Sequence, residues 1–437
     1  MSTIVVSKSP SVVVRPSEAV TTAGNKSILS LLDKSLITLP TTVLYVFEDP
    51  LDEPVETIRR GLSQALAHYC PMAGRLAGHG DDVHVDCNGE GVRFASASAN
   101  CTIEEIMSAI DDNRKKLMTP LLQELLLYPM ERCGRADPLV LMQVTTFSCG
   151  GYIVGVTWNH GIADGFGIAN FMQTVGELSR GLPTPSVVPV WCKYYDDDNS
   201  TSSHQQLVAA SVQVPVLPPY MMAVHQVVFE VPVSDLDASS ITIPASLINR
   251  IRRGGCTLFE AVTAVLWRCR TRTVMLDPET PTVLIFWANA RKYMGLNDGY
   301  YGNCLAVQIA VEKSGVVADG CDIMDLVGII RRAKEQIPEL FKEKGDAGIL
   351  QAVGELRGRL GYHNTFSVTS WRNIGLENVD FGSGTPSRVL ASCRDFKLPA
   401  CVVCPLNKGG QEGPCRVKSA CVTPQHTDAF LQEIATL

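Results

Sequence analysis

The sequence predicts an α/β protein of two domains, and three observations predict it. The chain has 437 residues, more than one hydrophobic core usually organises. Strand-like and helix-like runs are mixed in both halves. The most polar stretch, Lys193 to Gln206, lies between those halves and carries three consecutive aspartates followed by Asn, Ser and Thr, the composition of an exposed connection. It divides the chain into an N-terminal domain at 1–192, a crossover loop at 193–207 and a C-terminal domain at 208–437.

From Glu53 the spacing predicts an amphipathic helix, with Val55, Ile58, Leu62, Leu66 and Tyr69 on one face and Pro54 in its first turn. Cys70-Pro71 ends it. Leu139 to Phe147 and Tyr152 to Asn159 read as strands, and the Gly-bearing link Ser148 to Gly151 joins them as a hairpin. The second strand leads directly into His160. After Gly165 a helical period returns in Phe166, Ile168, Phe171, Met172, Val175 and Leu178, and Gly181-Leu-Pro183 stops it. In the second half, Thr257-Leu-Phe-Glu260 has capping-box spacing ahead of an apolar helix through Trp267. Asp325 to Lys344 reads as a further amphipathic helix. Val283 to Ala288, Leu305 to Val311, Thr365 to Thr369 and Ala400 to Val403 read as strands.

Composition narrows the function. Hydrophobic residues make up 46% and charged residues 19%, the balance of an ordinary globular protein. The net charge is -7 and no long Lys/Arg cluster occurs, so the footprint of a nucleic-acid partner is missing. The opening MSTIVVSKSP lacks the apolar core of a signal peptide and no apolar run has bilayer-spanning length, so the expectation is a cytoplasmic protein without a membrane partner. Fifteen cysteines scatter along the chain and read as free thiols. The tight pair Cys401-Val-Val-Cys404 sits in a strand-like run, where positions i and i+3 face opposite ways, and reads as structural.

One constellation could carry chemistry: His160-Gly-Ile-Ala-Asp164-Gly165, an HxxxDG on the turn between a buried strand and a helix. Histidine suits general-base work because its ordinary pKa lies near neutrality. A carboxylate four residues on could contact the imidazole or brace the turn from behind. The plainer alternative is a core-edge histidine beside a helix-capping aspartate.

Further matches distinguish these readings. With HxxxDG near the middle and Asp380-Phe-Gly-Ser-Gly384 near the C-terminus, the chain resembles the plant BAHD acyltransferases, whose second motif is DFGWG. The resemblance runs along nearly the whole chain: Tyr69-Cys-Pro-Met-Ala-Gly-Arg-Leu76, Thr257-Leu-Phe-Glu260 with Trp267, Asn289-Ala-Arg291, Gly299-Tyr-Tyr-Gly-Asn303 and Val368-Thr-Ser-Trp371 follow in order. It implies two chloramphenicol-acetyltransferase-like domains with mixed sheets flanked by helices. Acyl-CoA, the co-substrate, and an alcohol or amine acceptor would enter a channel between them from opposite faces.

The resemblance also implies roles. His160 would be the general base of a direct transfer in a ternary complex, which needs no cysteine nucleophile. Asp164 would support the motif by pairing with Arg291. Thr369 and Trp371 would stabilise the oxyanion, Asp380 is carried over as a candidate, and Thr257 and Arg372 are candidates for acyl-CoA contacts. No bound cofactor and no metal is expected, since neither His79 and His84 nor His204 and His225 have ligand spacing, and the family works as monomers. Two departures stand out: Ser383 replaces the tryptophan of DFGWG, and Asn373 stands where relatives often have a basic residue. Gly299 to Asn303 looks more like the alcohol-acylating branch than the shikimate or quinate one. N-acylation is the alternative within the class, and a non-catalytic ligand-binding relative is the alternative outside it. The acyl group and acceptor are not legible here, because specificity lies in pocket volume and a few loop side chains.

Overall fold

The computed structural model describes residues 3–18, 26–112, 120–127, 134, 136–191, 194–195, 236–275, 277–338, 361–392, 398–405 and 414–437. In the first half the strands are β1 (Val6–Lys8), β2 (Val12–Val14), β3 (Lys26–Ile28), β4 (Pro40–Phe47), β5 (Arg75–Ala77), β6 (His84–Asp86), β7 (Val92–Ala99), β8 (Val140–Thr146), β9 (Tyr152–Asn159) and β10 (Tyr194–Tyr195). The helices there are α1 (Leu31–Leu36), α2 (Pro54–His68), α3 (Ile103–Asp112), α4 (Pro120–Glu124) and α5 (Gly165–Ser179). The second half holds β11 (Asp237–Ile243), β12 (Pro281–Asn289), β13 (Leu305–Lys313), β14 (Thr365–Ser370), β15 (Arg388–Ser392), β16 (Ala400–Val403) and β17 (Cys415–Val422). Its helices are α6 (Ala245–Arg252), α7 (Leu258–Val274), α8 (Ile323–Glu335) and α9 (Thr427–Thr436).

Local chemistry sets these boundaries. Pro54 opens α2, where its missing N–H costs nothing. In α7 the Thr257 hydroxyl accepts from Glu260 N while the Glu260 carboxylate accepts from Thr257 N, the reciprocal capping box the sequence predicts. Helix α8 begins at Ile323, two residues ahead of the predicted start, because the Asp322 carboxylate caps Met324 N and Asp325 N. Its predicted end at Lys344 lies outside the described residues, as does most of the polar stretch 193–207. Within that stretch, Tyr194 and Tyr195 pair with Ser27 and Lys26.

Strand pairing builds mixed sheets. The larger runs β1-β7-β8-β9-β4-β15, with β2 also on β7, and a four-stranded sheet runs β10-β3-β6-β5. The third runs β11-β17-β16-β14-β12-β13. Pairs β7·β8, β12·β14 and β14·β16 are parallel. Strand β15 comes from the second half yet joins the first half's sheet, antiparallel to β4, with Arg388 opposite Val46 and Ser392 opposite Thr42. The division of the chain at 193–207 does not anticipate this exchange, since no local pattern names a strand's distant partner.

Alternation along the strands sorts side chains into layers. Helices α2 and α5 cover one face of the large sheet, and they approach so closely that a Cβ on Gly61 would lie 2.1 Å from Ser179 Oγ. Ile106, Ile110 and Leu122 cover Leu44, Val46 and Ile153 on the other face. In the six-stranded sheet, Leu284, Phe286, Val368 and Cys401 pack outward against α6 to α9. Val283, Ile285 and Val402 point the other way and join Tyr45, Trp158 and Phe171 in one continuous core. The two halves therefore share a core. Among the described residues, no helix is long and apolar enough to cross a membrane.

Candidate active site

Strand β9 is buried along its whole length and delivers His160 to this shared core. A 3-10 turn, His160–Ile162, follows, with the Asn159 carboxamide accepting from Gly161 N at 2.9 Å. His160 N donates to Leu39 O at 2.9 Å. Asp164 then caps α5, accepting from Gly167 N at 2.9 Å. Gly167 is required by close approach, because a Cβ there would lie 1.9 Å from the Tyr301 carbonyl oxygen. Gly167→Ala is expected to push the 300–303 segment away and lower the thermal midpoint by several degrees, a shift that differential scanning calorimetry reads.

The Asp164 carboxylate faces away from His160. It is fully buried and forms a bidentate pair with Arg291, Nη2 to Oδ1 at 2.8 Å and Nη1 to Oδ2 at 2.9 Å. Cys304 N donates to Oδ2 at 3.1 Å. The guanidinium spends further donors on Tyr300 O and Gly302 O, at 2.8 and 2.9 Å. The carboxylate thus lies behind the turn, with its hydrogen bonds to Arg291, Cys304 N and Gly167 N and none to the imidazole among the described residues.

The residue's own backbone and the Asn303 side chain both meet the imidazole. His160 Nδ1 lies 3.1 Å from Asn303 Oδ1. The carboxamide cannot be turned over, because its Nδ2 donates to Asp33 Oδ1 at 2.8 Å and to His160 O at 2.7 Å, both acceptors. Oδ1 must therefore accept, so Nδ1 carries the ring proton and the lone pair is left on Nε2. Behind it, Asp33 Oδ2 accepts from Ser30 N and Ser30 Oγ at 2.8 and 2.7 Å. Burial pushes the Asp33 carboxyl up to about 6, against the lowering effect of these hydrogen bonds. Burial likewise holds the His160 imidazole below its ordinary value, which favours the neutral form near pH 7. Burial raises the neighbouring Cys304 thiol to about 12, far from a thiolate nucleophile.

Other candidates from the sequence converge unevenly. The Trp371 ring lies 6.2 Å from Trp158, whose ring lies 6.5 Å from that of His160. Thr369 alternates with Val368, so it shares the inward face of β14 with Ser367, the partner of Ile285. Thr257 and Arg372 both line a cavity of about 780 Å³, together with Arg252, Lys334, Trp287 and Asn373. Its wall at Ser370 to Asn373 adjoins Trp371. Asp380 sits elsewhere, against the far end of α5. Its Oδ1 accepts from Gly382 N and Gly384 N at 2.7 and 2.9 Å, and Arg180 pairs with it. Ser383 places its hydroxyl 2.8 Å from the Tyr152 hydroxyl. Tyr152 starts β9 and His160 follows its end, so the eight-residue strand separates the loop from the imidazole by roughly 25 Å. The sequence reading missed Asp33 and Asn303. Asn303 figured only within a family motif, while Ser30-x-x-Asp33 carried a capping-box signal that says nothing of a residue far along the chain.

Two halves with mixed sheets and a shared core, and a histidine on the turn between β9 and α5 at their seam, define the architecture of the two-domain acyltransferases. A model of the Transferase family matches residues 4–420. Acyl transferase 15 of Oryza sativa subsp. japonica is 50% identical, with 99% of each chain covered. The benzyl alcohol O-benzoyltransferase of Nicotiana tabacum is 32% identical, over 76% of this chain and 70% of its own. The crystal structure of vinorine synthase superposes with a TM-score of 0.72 at 20% identity, covering 99% and 98% of the two chains. F. graminearum TRI101 complexed with coenzyme A and T-2 mycotoxin gives 0.68 at 15% identity, over 92% and 96%. The chain belongs to this Transferase family, the plant BAHD acyltransferases, and is a CoA-dependent acyltransferase.

Proposed function

We propose that the protein transfers an acyl group from acyl-CoA directly to the hydroxyl of a small plant metabolite, with His160 as general base. The observation that carries this reading is the Asn303 contact, which occupies Nδ1 and leaves Nε2 with its lone pair. Nε2 takes the acceptor's proton as its oxygen attacks the thioester carbonyl. The Thr369 hydroxyl and Trp371 indole N–H stabilise the oxyanion. Collapse breaks the C–S bond, and the departing thiolate recovers the proton from the imidazolium. A hydroxyl acceptor is favoured by relatives named as a benzyl alcohol O-benzoyltransferase and a 6'-O-caffeoyltransferase.

The cavity bearing Arg252, Lys334 and Arg372 suits the phosphates of CoA. A charge-assisted bond contributes about 1.5–3 kcal/mol, so Arg372→Ala is expected to raise KM for acyl-CoA roughly 10- to 100-fold with kcat nearly unchanged, in steady-state kinetics. The proposal itself is tested by offering aromatic, hydroxycinnamoyl and short aliphatic acyl-CoAs against pooled alcohols and amines, following thiol release and identifying products by mass. Ester products support it. Amide products alone would move the acceptor class to amines, and acyl-CoA binding without product from any pair would overturn catalysis in favour of ligand binding.

A further inference from the structure

Asp33 and Asn303 are 270 residues apart, both buried, with exposures of 0% and 1%. Together they form the wall behind the His160 imidazole. The plain reading of Asp33 is local: it is the third residue of α1 and completes a capping box with Ser30. That reading accounts for only one of its oxygens. Oδ2 serves the cap, receiving Ser30 N and Oγ, while Oδ1 is turned to Asn303 and receives its Nδ2. A capping residue at the surface would leave Oδ1 to water. Here it is buried against a side chain that itself has one free choice, which end of its carboxamide to present to the histidine.

That choice matters because the two ends of an amide have opposite polarity. With Asp33 charged, and the His160 carbonyl also within 2.7 Å, the amine end is held away from the imidazole and the oxygen is presented to Nδ1. Turned over, Asn303 would offer N–H to Nδ1, which would then have to accept, and the ring proton would move to Nε2. We infer that Asp33 and Asn303 are positioning residues that fix the tautomer of His160, the buried carboxylate dictating the carboxamide's orientation and the carboxamide dictating which ring nitrogen keeps a lone pair. The inference rests on the reading of His160 as base for its catalytic consequence, but not for the tautomer itself. It gives the buried position of Asp33 a purpose, since burying a carboxyl that is half-charged only at about pH 6 is costly unless its charge is used.

The test reads the tautomer directly. In full-length protein with 15N-labelled histidine, two-bond 1H–15N correlations distinguish Nδ1–H from Nε2–H, and the His160 pattern is identified among the eight histidines by its loss in His160→Gln. Wild type is expected to show Nδ1–H at pH 7.5; an Nε2–H pattern would overturn the inference without any further variant. Asp33→Asn keeps an acceptor for the Ser30 donors but presents an amine toward Asn303. It should populate the Nε2–H form and lower kcat at least 10-fold, with KM for acyl-CoA within twofold. Asn303→Ala should mix the tautomers and lower kcat about 100-fold, at the lower end of what a general base contributes. If either variant, folded to within a few degrees of wild type, keeps both the Nδ1–H pattern and its kcat, the positioning role is wrong. If instead the tautomer follows the scheme but His160→Ala still turns over, the positioning holds and the reading of His160 as base is what fails.

Discussion

Asp164→Ala is expected to cost about 3–5 kcal/mol, the usual consequence of removing one partner from a buried charge pair. That corresponds to a fall of several degrees or more in the thermal midpoint, which circular dichroism at 222 nm would follow. The size of the effect comes from what the carboxylate holds. It receives two guanidinium donors, Gly167 N and Cys304 N, and so joins the cap of α5, the segment after β12 and the start of β13 in one knot. Arg291→Met should cost a similar amount, for it strands a fully buried carboxylate without its charge partner. The double variant should cost distinctly less than the sum, because the partners act as a unit. Since Asp164 does not touch the imidazole, the folded fraction of Asp164→Asn, assayed at low temperature, should keep much of its kcat. An Asp164→Ala midpoint within about 2 °C of wild type would refute the brace, and a folded but inactive Asp164→Asn would require a direct role in chemistry.

His160→Ala should do the reverse. The imidazole is packed among its neighbours while the residue as a whole keeps some exposure, and among the described residues it is in no ion pair: its hydrogen bonds are to Asn303 and to its own backbone, so the midpoint should move little. Acyl transfer should fall about 10²- to 10⁴-fold, the range general bases contribute. The pH profile gives a second check. The active form of a base is the neutral one, and burial lowers the folded-state pKa of this imidazole. The acid limb of kcat/KM should therefore inflect below pH 6.5, and activity should be nearly full at pH 7. Asp33, pushed up to about 6, titrates in the same window. Protonating it loosens Asn303, so both ionisations lower activity as pH falls and the limb reports the pair. An inflection above 6.5 would contradict the buried neutral histidine.

Much of this was legible in the amino-acid order because its causes are local. The eight buried residues of β9, the spacing of Ile58, Leu62 and Leu66, and the box formed by Thr257 and Glu260 are interactions within a few positions, and they give strands, helix faces and helix starts directly. The HxxxDG turn was visible for the same reason: a strand, a short turn and a capped helix place His160 and Asp164 on one corner whatever surrounds it. The pairing of Asp164 with Arg291 came from family resemblance, not from the residues read alone.

Contacts across the chain were another matter. Nothing within reach of Arg388 announces that β15 will pair with β4. Nothing near Asp33 announces Asn303. Such contacts are selected by close packing of a core that must bury both halves at once, and the side chains left facing each other after that packing determine which ring nitrogen of His160 keeps its lone pair and which cations meet at the cavity beside Trp371. By itself the sequence determined the elements, the class of protein and the histidine; the tertiary structure decided the direction of the Asp164 carboxylate, the tautomer of that histidine and the gathering of Thr257 and Arg372 around one cavity, because each depends on groups that only folding brings within hydrogen-bond distance.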